Sequence, residues 1–275
     1  MTTTLAPAAA STTISSGAGL RVTQVRVLLS EWTKFRSLRS TVTTLLIAIV
    51  VMIGLGAMFA AITANQTTGF EPGATAISTS LTGTFFAQLA IGVLGVLLIT
   101  GEYSTGMIRA SLTVVPKRLP MLWAKLGVFA VVVFLTMLLA SGTAFFVGQA
   151  LLGGNGLNGS LSDPGALRSI VGAALYLTVA GMTALAIGAL LRNTAAAVTT
   201  FVAVFFVIPP LTNLLPTSWT DQFAQYLPSN AGAVMLDGSF GVAHPLDPWT
   251  GFAVMCSFAV VLIGAAAWRL RRVDA

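Results

Sequence analysis

Charged residues are scarce in this chain, and cysteine and histidine are almost absent. Acidic and basic side chains together make up 8% of the sequence, about a third of the share typical of soluble domains. Cys256 and His244 are the single residues of their kinds, which excludes an internal disulfide and a metal site built from several such ligands. The motifs GxxxxGK[ST], HExxH and GxSxG do not occur. We therefore predict no catalytic, metal-binding or cofactor-binding residues in this chain.

Apolar residues take the place of the missing charge. The hydrophobic fraction is 56% and the mean hydropathy is +0.90. A soluble globule could not hide this much apolar surface, because small folds leave much of their surface exposed. The composition therefore predicts an all-α integral membrane protein. The formal net charge of +6 could indicate nucleic-acid binding. Basic loops on the cytoplasmic side of a membrane explain it better, and no nucleic-acid partner is predicted.

Six stretches are long and apolar enough to cross the hydrocarbon, which takes about 20 residues. These predicted spans are 42–64, 80–100, 121–149, 168–191, 194–215 and 249–268. Only Arg192-Asn193-Thr194 separates the fourth span from the fifth, which predicts a tight helical hairpin. Residues 1–20 lack an apolar core and predict a disordered tail rather than a cleavable signal peptide. Residues 21–275 then form a single membrane domain.

The basic residues predict the orientation of these spans. If the N-terminus is cytoplasmic, Arg168 is the single basic residue outside, and thirteen of the fourteen fall inside. The inside set is Arg21, Arg26, Lys34, Arg36, Arg39, Arg109, Lys117, Arg118, Lys125, Arg192, Arg269, Arg271 and Arg272. Because Lys and Arg in short loops remain on the cytoplasmic side, we predict a multi-pass protein of the plasma membrane with both termini in the cytoplasm.

Residues 21–39 predict an amphipathic helix before the first span. Apolar residues recur there at three- and four-residue spacing, namely Val22, Val25, Leu29, Trp32 and Phe35. A second face carries Arg26, Ser30, Lys34 and Ser37, and Arg36 interrupts the apolar stripe. A basic amphipathic helix with a Trp is typical of the membrane interface, where anionic lipid headgroups attract its cations. The alternative is a basic stretch that only sets orientation.

Residues 101–120 are too polar to span and lie on the predicted cytoplasmic side. Glu102 and Arg109 are seven residues apart, which puts them on one helical face two turns from each other. Pro116 and Pro120 interrupt the chain before the third span. The segment is either a short helix that docks onto a cytoplasmic partner or a surface loop with a solvated Glu.

The segment 216–248, on the outside, is long for a loop and contains several aromatic residues, so we expect short amphipathic helices at the outer interface. The spans themselves contain Gln88, Gln149 and Tyr176 but almost no ionisable side chains. Carriers driven by protons or sodium usually need buried ionisable groups, so the energy is expected to come from a cytoplasmic partner. Pro209-Pro210 marks either a kink in span five or its outer end.

The arrangement resembles the permease subunits of type-2 ABC exporters over about 20–270. The most specific local match is EYSTGMIR at 102–109, where the second span of that family commonly ends in Glu, three residues, Gly and Thr. Met107 stands where the family usually has Thr. Pro116, Arg118 and Lys125 match residues that are common before span three. The stretch LLSEWTKFRSLRS resembles actinobacterial members of the family.

The resemblance implies that the region 102–115 is a coupling helix seated in a separate ABC ATPase subunit, which would hold ATP and Mg²⁺. The implied coupling residues are Glu102, Tyr103, Gly106, Arg109, Pro116 and Arg118, and the interfacial-helix residues are Trp32, Lys34, Phe35 and Arg36. A second permease would complete a homo- or heterodimer, with a path lined by spans two and five. The implied function is export of an amphipathic drug, lipid or peptide. A non-transporting scaffold or sensor that docks a cytoplasmic protein through 101–120 is the alternative.

Overall fold

The computed structural model describes the chain in segments that together cover the six predicted spans except for residues 213 and 215. The described residues are 24–37, 39–65, 74–104, 118–154, 156–212, 214, 216, 222–236 and 244–272. Every regular element among them is helical, and none of them belongs to a strand. The predicted tail at 1–20 lies outside the described residues.

Ten α-helices follow one another within the described residues. They are α1 (Gln24–Ser37), α2 (Arg39–Ala64), α3 (Ala74–Ser80), α4 (Gly83–Ser104), α5 (Arg118–Gly153), α6 (Ala166–Leu191), α7 (Thr194–Val202), α8 (Ile208–Thr212), α9 (Pro228–Ala233) and α10 (Pro248–Arg272). A π-helical segment, Ala203–Val207, joins α7 to α8, and 3₁₀ turns at Ala224–Tyr226 and Val234–Leu236 flank α9.

The six predicted spans are confirmed as helices long and apolar enough to cross a membrane within the described part of the chain. Most extend beyond the predicted bounds. The longest, α5, has 36 residues, and at 1.5 Å per residue it is about 54 Å long, well beyond the roughly 30 Å of hydrocarbon. Hydropathy marks only the apolar middle of such a helix, since polar residues continue the backbone hydrogen bonding into water.

The centre of the bundle is α6. In the most apolar stretch of α6, 78% of the residues are buried, whereas in that of the fifth span, Thr194–Thr212, 17% are buried. Close packing there depends on small residues. A Cβ on Gly95 of α4 would lie 2.3 Å from the Gly181 carbonyl oxygen of α6, and one on Gly181 would lie 2.5 Å from the Phe129 ring of α5. Small residues let helices approach closely in lipid, where packing replaces the hydrophobic effect.

The predicted hairpin between spans four and five is present. Arg192 adopts a left-handed conformation with φ of 54°, and its N–H donates to the Gly188 carbonyl, which ends α6. The Asn193 side chain then accepts a hydrogen bond from the Ala196 N–H at 3.0 Å and caps α7. Arg192 therefore ends α6 and Asn193 caps the start of α7, so the two spans are antiparallel neighbours.

The irregularity in span five precedes the proline pair. The helix continues through Pro209 and Pro210 to Thr212, and the Ile208 N–H donates to the Ala203 carbonyl, five residues earlier. Prolines have no N–H, so two carbonyls one turn earlier lose their α-helical donor. The π-helical segment is the local adjustment to that loss.

The long segment before α10 contains the predicted short helices, but they are packed into the bundle rather than lying free. All six residues of α9 are buried. A Cβ on Gly232 would lie 2.3 Å from the Met255 sulfur and 2.6 Å from the Tyr176 ring, so α9 is held tightly between α10 and α6. Phe223 and Tyr226 remain exposed.

Candidate functional site

One end of the bundle collects most of the described charged side chains, and we call it the charged end. There α1 packs against the start of α5 and the last turn of α4. Val27 and Phe35 of α1 are buried, and the Gln24 side-chain amide donates to the Pro120 carbonyl at 3.2 Å. The opposite side of α1 leaves apolar side chains uncovered, with Leu29 60% and Trp32 47% exposed.

Four charged side chains from three helices meet under α1, and we call them the ion cluster. Lys125 Nζ of α5 lies 2.8 Å from Glu31 Oε2 of α1 and 2.9 Å from Glu102 Oε1 of α4. Lys34 Nζ of α1 lies 2.8 Å from Glu31 Oε1 and 3.4 Å from Glu102 Oε1. Each amine therefore pairs with both carboxylates, and the formal charge of the cluster is zero.

The cluster is buried except at Lys34. The Lys125 side chain is 2% exposed, those of Glu31 and Glu102 are 5% and 7%, and that of Lys34 is 33%. Glu102 Oε2 is buried without a hydrogen-bond partner among the described residues. Isolated buried ions are costly unless paired, so the four groups depend on one another for their charged state.

Two pKa values report this mutual dependence. Burial opposes ionisation of Glu31, but attraction to Lys125 and hydrogen bonds from both lysines outweigh it, so the pKa of Glu31 is lowered. Burial likewise opposes the charge of Lys34, but hydrogen bonding and attraction to the two glutamates raise the pKa of this amine. Both groups are therefore held in their charged forms at neutral pH.

The last turn of α4 also contacts the hairpin between α6 and α7. The Arg192 guanidinium lies over the Tyr103 ring at 5.2 Å from its centroid, a distance at which a cation is attracted to the ring face. Thr194 Oγ1 donates to Thr100 Oγ1 at 2.9 Å. One helical turn of α4 is thus bonded to α1, α5 and the α6–α7 hairpin.

The predicted coupling residues fall partly within this arrangement. Glu102 and Tyr103 are in the last turn of α4, and Arg118 is the first residue of α5. Gly106, Arg109 and Pro116 lie outside the described residues, as does the predicted helical face that would join Glu102 to Arg109. The Glu102 carboxylate is not solvated, in contrast to the surface-loop alternative for 101–120.

The predicted interfacial-helix residues divide between two environments. Trp32 and Arg36 are exposed, as an outward face requires. Lys34 belongs to the ion cluster. Phe35, which the sequence assigned to the apolar stripe with Trp32, is 5% exposed and packs into the core of the bundle. The apolar stripe of α1 covers more than one side of the helix, so Phe35 at its edge packs against the bundle while Trp32 faces outward.

Sequence reasoning missed the roles of Glu31 and Lys125. A signal was available, because Glu31 is the one acidic residue in a basic stretch and Lys125 is the one charged residue in an apolar span. Charges at membrane depth require a partner, and Lys125 within a predicted span should have prompted a search for one. The sequence separation of 94 between the two partners hid the pairing.

A family comparison agrees with this architecture. The family model described as ABC-2 family transporter protein matches residues 27–210, about two thirds of the chain. The matched region begins within α1, ends at Pro210 in α8 and contains all four residues of the ion cluster. None of the curated proteins matches the chain. The six apolar helices and the family match together identify a multi-pass membrane protein. The chain belongs to the ABC-2 transporter family, as a membrane-spanning permease subunit of an ABC transporter.

Proposed function

We propose that this permease exports an amphipathic drug, lipid or peptide across the plasma membrane, with ATP and Mg²⁺ bound by a separate ABC ATPase subunit. The observation that carries the proposal is the ion cluster at the end of α4. The chain leaves α4 at Ser104, two residues after Glu102, and begins α5 at Arg118, seven residues before Lys125, so the predicted docking segment connects two helices that each contribute to the cluster.

Coupling would pass through this connection. A force on the segment 105–117 acts first on Glu102 and Tyr103, and their contacts reach α1, α5 and Arg192. Coupling between sites requires contacts that differ between two states. We infer that closure of the ATPases shifts the last turn of α4 and, with it, the helices bonded to that turn. Gly106, Arg109, Pro116 and Arg118 would form the docking surface.

A second permease, identical or homologous, would complete the path. Span five supports this part of the proposal, because only 17% of its most apolar stretch is buried within the subunit. The uncovered surface is available to lipid or to a second permease. Spans two and five of both subunits would then line the path.

The outward face of α1 would lie in the cytoplasmic membrane interface. Val25, Leu29 and Trp32 are 64%, 60% and 47% exposed, and Arg36 among them is exposed as well. Apolar side chains at the acyl boundary and a cation at the headgroups are the chemistry of an interfacial helix. The ion cluster would attach that helix to the spans.

Co-purification of the chain with an ABC ATPase encoded in the same operon tests the proposal, followed by ATPase and transport assays in proteoliposomes with candidate amphipathic compounds. Glu102→Gln should lower compound-stimulated ATPase activity and transport by about 5- to 150-fold, the range of allosteric couplings. Arg109→Glu should weaken co-purification itself. The matched control is Thr183→Val, at a buried α6 threonine away from the cluster.

Each result has a distinct meaning. Wild-type activity in Glu102→Gln, in a preparation that reaches the membrane in normal amount, would remove the coupling role. A chain that co-purifies with no ATPase and transports nothing would instead favour the scaffold or sensor function.

A further inference from the structure

Two neighbouring cavities lie at the end of the bundle opposite the charged end. The first has a volume of about 160 Å³ and is lined by residues of α3, α4, α6 and the α9 segment, including Thr84. The second has about 150 Å³ and is bounded by span five and α9, including Ser229. Phe85 and Tyr176 line both cavities, so these two side chains form the wall between them. A volume of about 150 Å³ has room for a benzene ring.

Hydrogen-bonding groups around the cavities lack partners. Thr84 Oγ1 and Ser229 Oγ are buried and unbonded among the described residues, and each belongs to a residue at most 5% exposed that lines a cavity. Beside them, the Tyr176 hydroxyl donates to Gln88 Oε1 at 2.5 Å, and the buried Gln88 amide nitrogen has no acceptor in the part of the chain that the structure describes. Buried polar groups are nearly always bonded, so three unbonded groups near one position require an explanation.

The lining of both cavities is uncharged, and that of the second is largely aromatic. Phe205, Phe206 and the proline pair close the second cavity, and the Phe85 and Phe206 rings are 5.0 Å apart between centroids. No described residue that lines either cavity carries a charge at neutral pH. An ion would lose its hydration there without gaining a counter-charge, which makes its entry costly.

The walls differ in how easily they can adjust. Gly232 is packed against Tyr176 and Met255 without room for a Cβ, so the α9 wall is tightly held. The wall formed by span five contains the π-helical segment and the prolines, where the regular helical hydrogen bonding is interrupted. A ligand could therefore be admitted by movement of span five against a fixed α9.

We propose that the two cavities form one binding site within a single subunit for an uncharged molecule that combines apolar, ring-sized groups with hydroxyl or carbonyl groups. Thr84 and Ser229 supply the hydrogen bonds, and Phe85 and Phe206 supply the apolar contact. That this molecule is also the transported one rests on the proposed function. The proposal that such a molecule binds in the cavities does not depend on the proposed function.

The test is photolabelling of the full-length chain in lipid nanodiscs with 4-(hydroxymethyl)benzophenone, a neutral molecule with two rings and two oxygen functions. Mass spectrometry of the irradiated protein locates the attachment. We expect saturable labelling of peptides from the α4 start, span five or α9. The matched competitor 4-benzoylbenzoate, which differs mainly in its negative charge, should not displace the probe.

Two near-isosteric variants separate ligand binding from a structural role. Thr84→Val and Ser229→Ala each remove one hydroxyl, so each should lower the probe's affinity by about five-fold, the equivalent of one hydrogen bond. The same variants should keep or raise the melting temperature of the free protein, because an unbonded buried hydroxyl is removed. Thr183→Val, whose hydroxyl bonds to the Val179 carbonyl, should leave labelling unchanged.

Several outcomes would overturn the site. Unsaturable labelling of the lipid-facing helices would do so, and so would competition by 4-benzoylbenzoate as strong as that by the neutral compound. A third such outcome is an unchanged probe affinity in both Thr84→Val and Ser229→Ala, which is expected if the cavities hold only water. Because the assay needs neither ATPase nor transport, a negative result leaves the proposed function standing. Loss of the proposed function in turn leaves a positive result intact.

Discussion

At the scale of single residues, Lys125 has the environment least expected for its chemistry. It belongs to an apolar span, yet its amine is almost fully buried between two carboxylates. The desolvation of such a group is offset only while both partners stay in place. The three buried members, Glu31, Glu102 and Lys125, therefore cannot be removed one at a time without leaving an uncompensated buried charge.

Removal of the Lys125 amine should destabilise the protein strongly. We expect Lys125→Met to lower the free energy of unfolding in mixed micelles by about 3–5 kcal/mol, since Glu31 and Glu102 would lose the one amine that is buried with them. Lys34→Met is the matched control, and because Lys34 is one-third exposed it should cost only about 0–1 kcal/mol. Equal losses in the two variants would contradict the burial argument.

Acid should weaken the same cluster. The pKa of Glu31 is lowered from its ordinary value of 4.5, so its contribution is complete above that pH and is lost as the pH falls through the lower, folded-state pKa. The pKa of Lys34 is raised from 10.5, so its contribution persists below that value and fails only in stronger alkali. Melting temperatures should therefore show no dependence on these two groups between pH 6 and 9, and Glu31→Gln should remove part of the acid sensitivity.

At the scale of elements, α1 carries two apolar edges with different neighbours. Val27 and Phe35 are buried against the bundle, whereas Val25, Leu29 and Trp32 are exposed. The exposed edge needs a nonaqueous neighbour, and the membrane interface is the one proposed above.

Cysteine labelling can test that location in a Cys256→Ser background. Leu29→Cys and Ser30→Cys place thiols on adjacent residues that are both exposed in the isolated subunit. In liposomes a water-soluble maleimide should modify the thiol at 30 quickly and that at 29 slowly, because position 29 would be embedded in lipid. In a small detergent the difference should shrink, and equal rates in liposomes would place α1 in water.

The proline pair of span five gives a second element-scale prediction. Replacing Pro209 and Pro210 together by Ala restores two backbone donors, so amide hydrogen exchange across 203–212 should slow and stability should rise, by at most about 3 kcal/mol per interior proline. Pro228→Ala is the control. That proline is the first residue of α9, where its missing N–H has no helical acceptor to begin with. Unchanged exchange in the double variant would assign the π-helical segment to packing instead.

At the scale of the whole molecule, six spans require both ends of the chain to lie on one side. The charge distribution predicts that side to be the cytoplasm. The contacts among Tyr103, Arg192 and the ion cluster bring the corresponding helix ends together at one end of the bundle, as alternating spans demand.

Single cysteines can establish the orientation in the same Cys256→Ser background. A membrane-impermeant maleimide added to intact cells should modify Ser162→Cys, in the exposed turn before α6, and should not modify Ser37→Cys at the end of α1. Inside-out vesicles should give the reverse pattern. Labelling of position 37 in intact cells would invert the predicted topology.

Much of the fold follows from the sequence alone, because hydropathy is a local property. Each span is a run of about 20 apolar residues, and its presence does not depend on what it packs against. The Arg192-Asn193-Thr194 hairpin is local in the same sense, since left-handed and capping conformations are set within a few residues.

Only the tertiary structure decided which helical faces meet. Glu31 and Lys125, 94 residues apart, become partners because α1 turns its glutamate inward and its Leu29 edge outward. Phe35 is buried by the same rotation. Likewise, Thr84 and Ser229 border one pair of cavities because α9 is packed against α6 beside α4. Local hydropathy therefore determined that this chain has six helices long and apolar enough to cross a membrane. The buried pairs and unbonded hydroxyls arose from interhelical packing, which depends on long-range contacts that no short window of sequence contains.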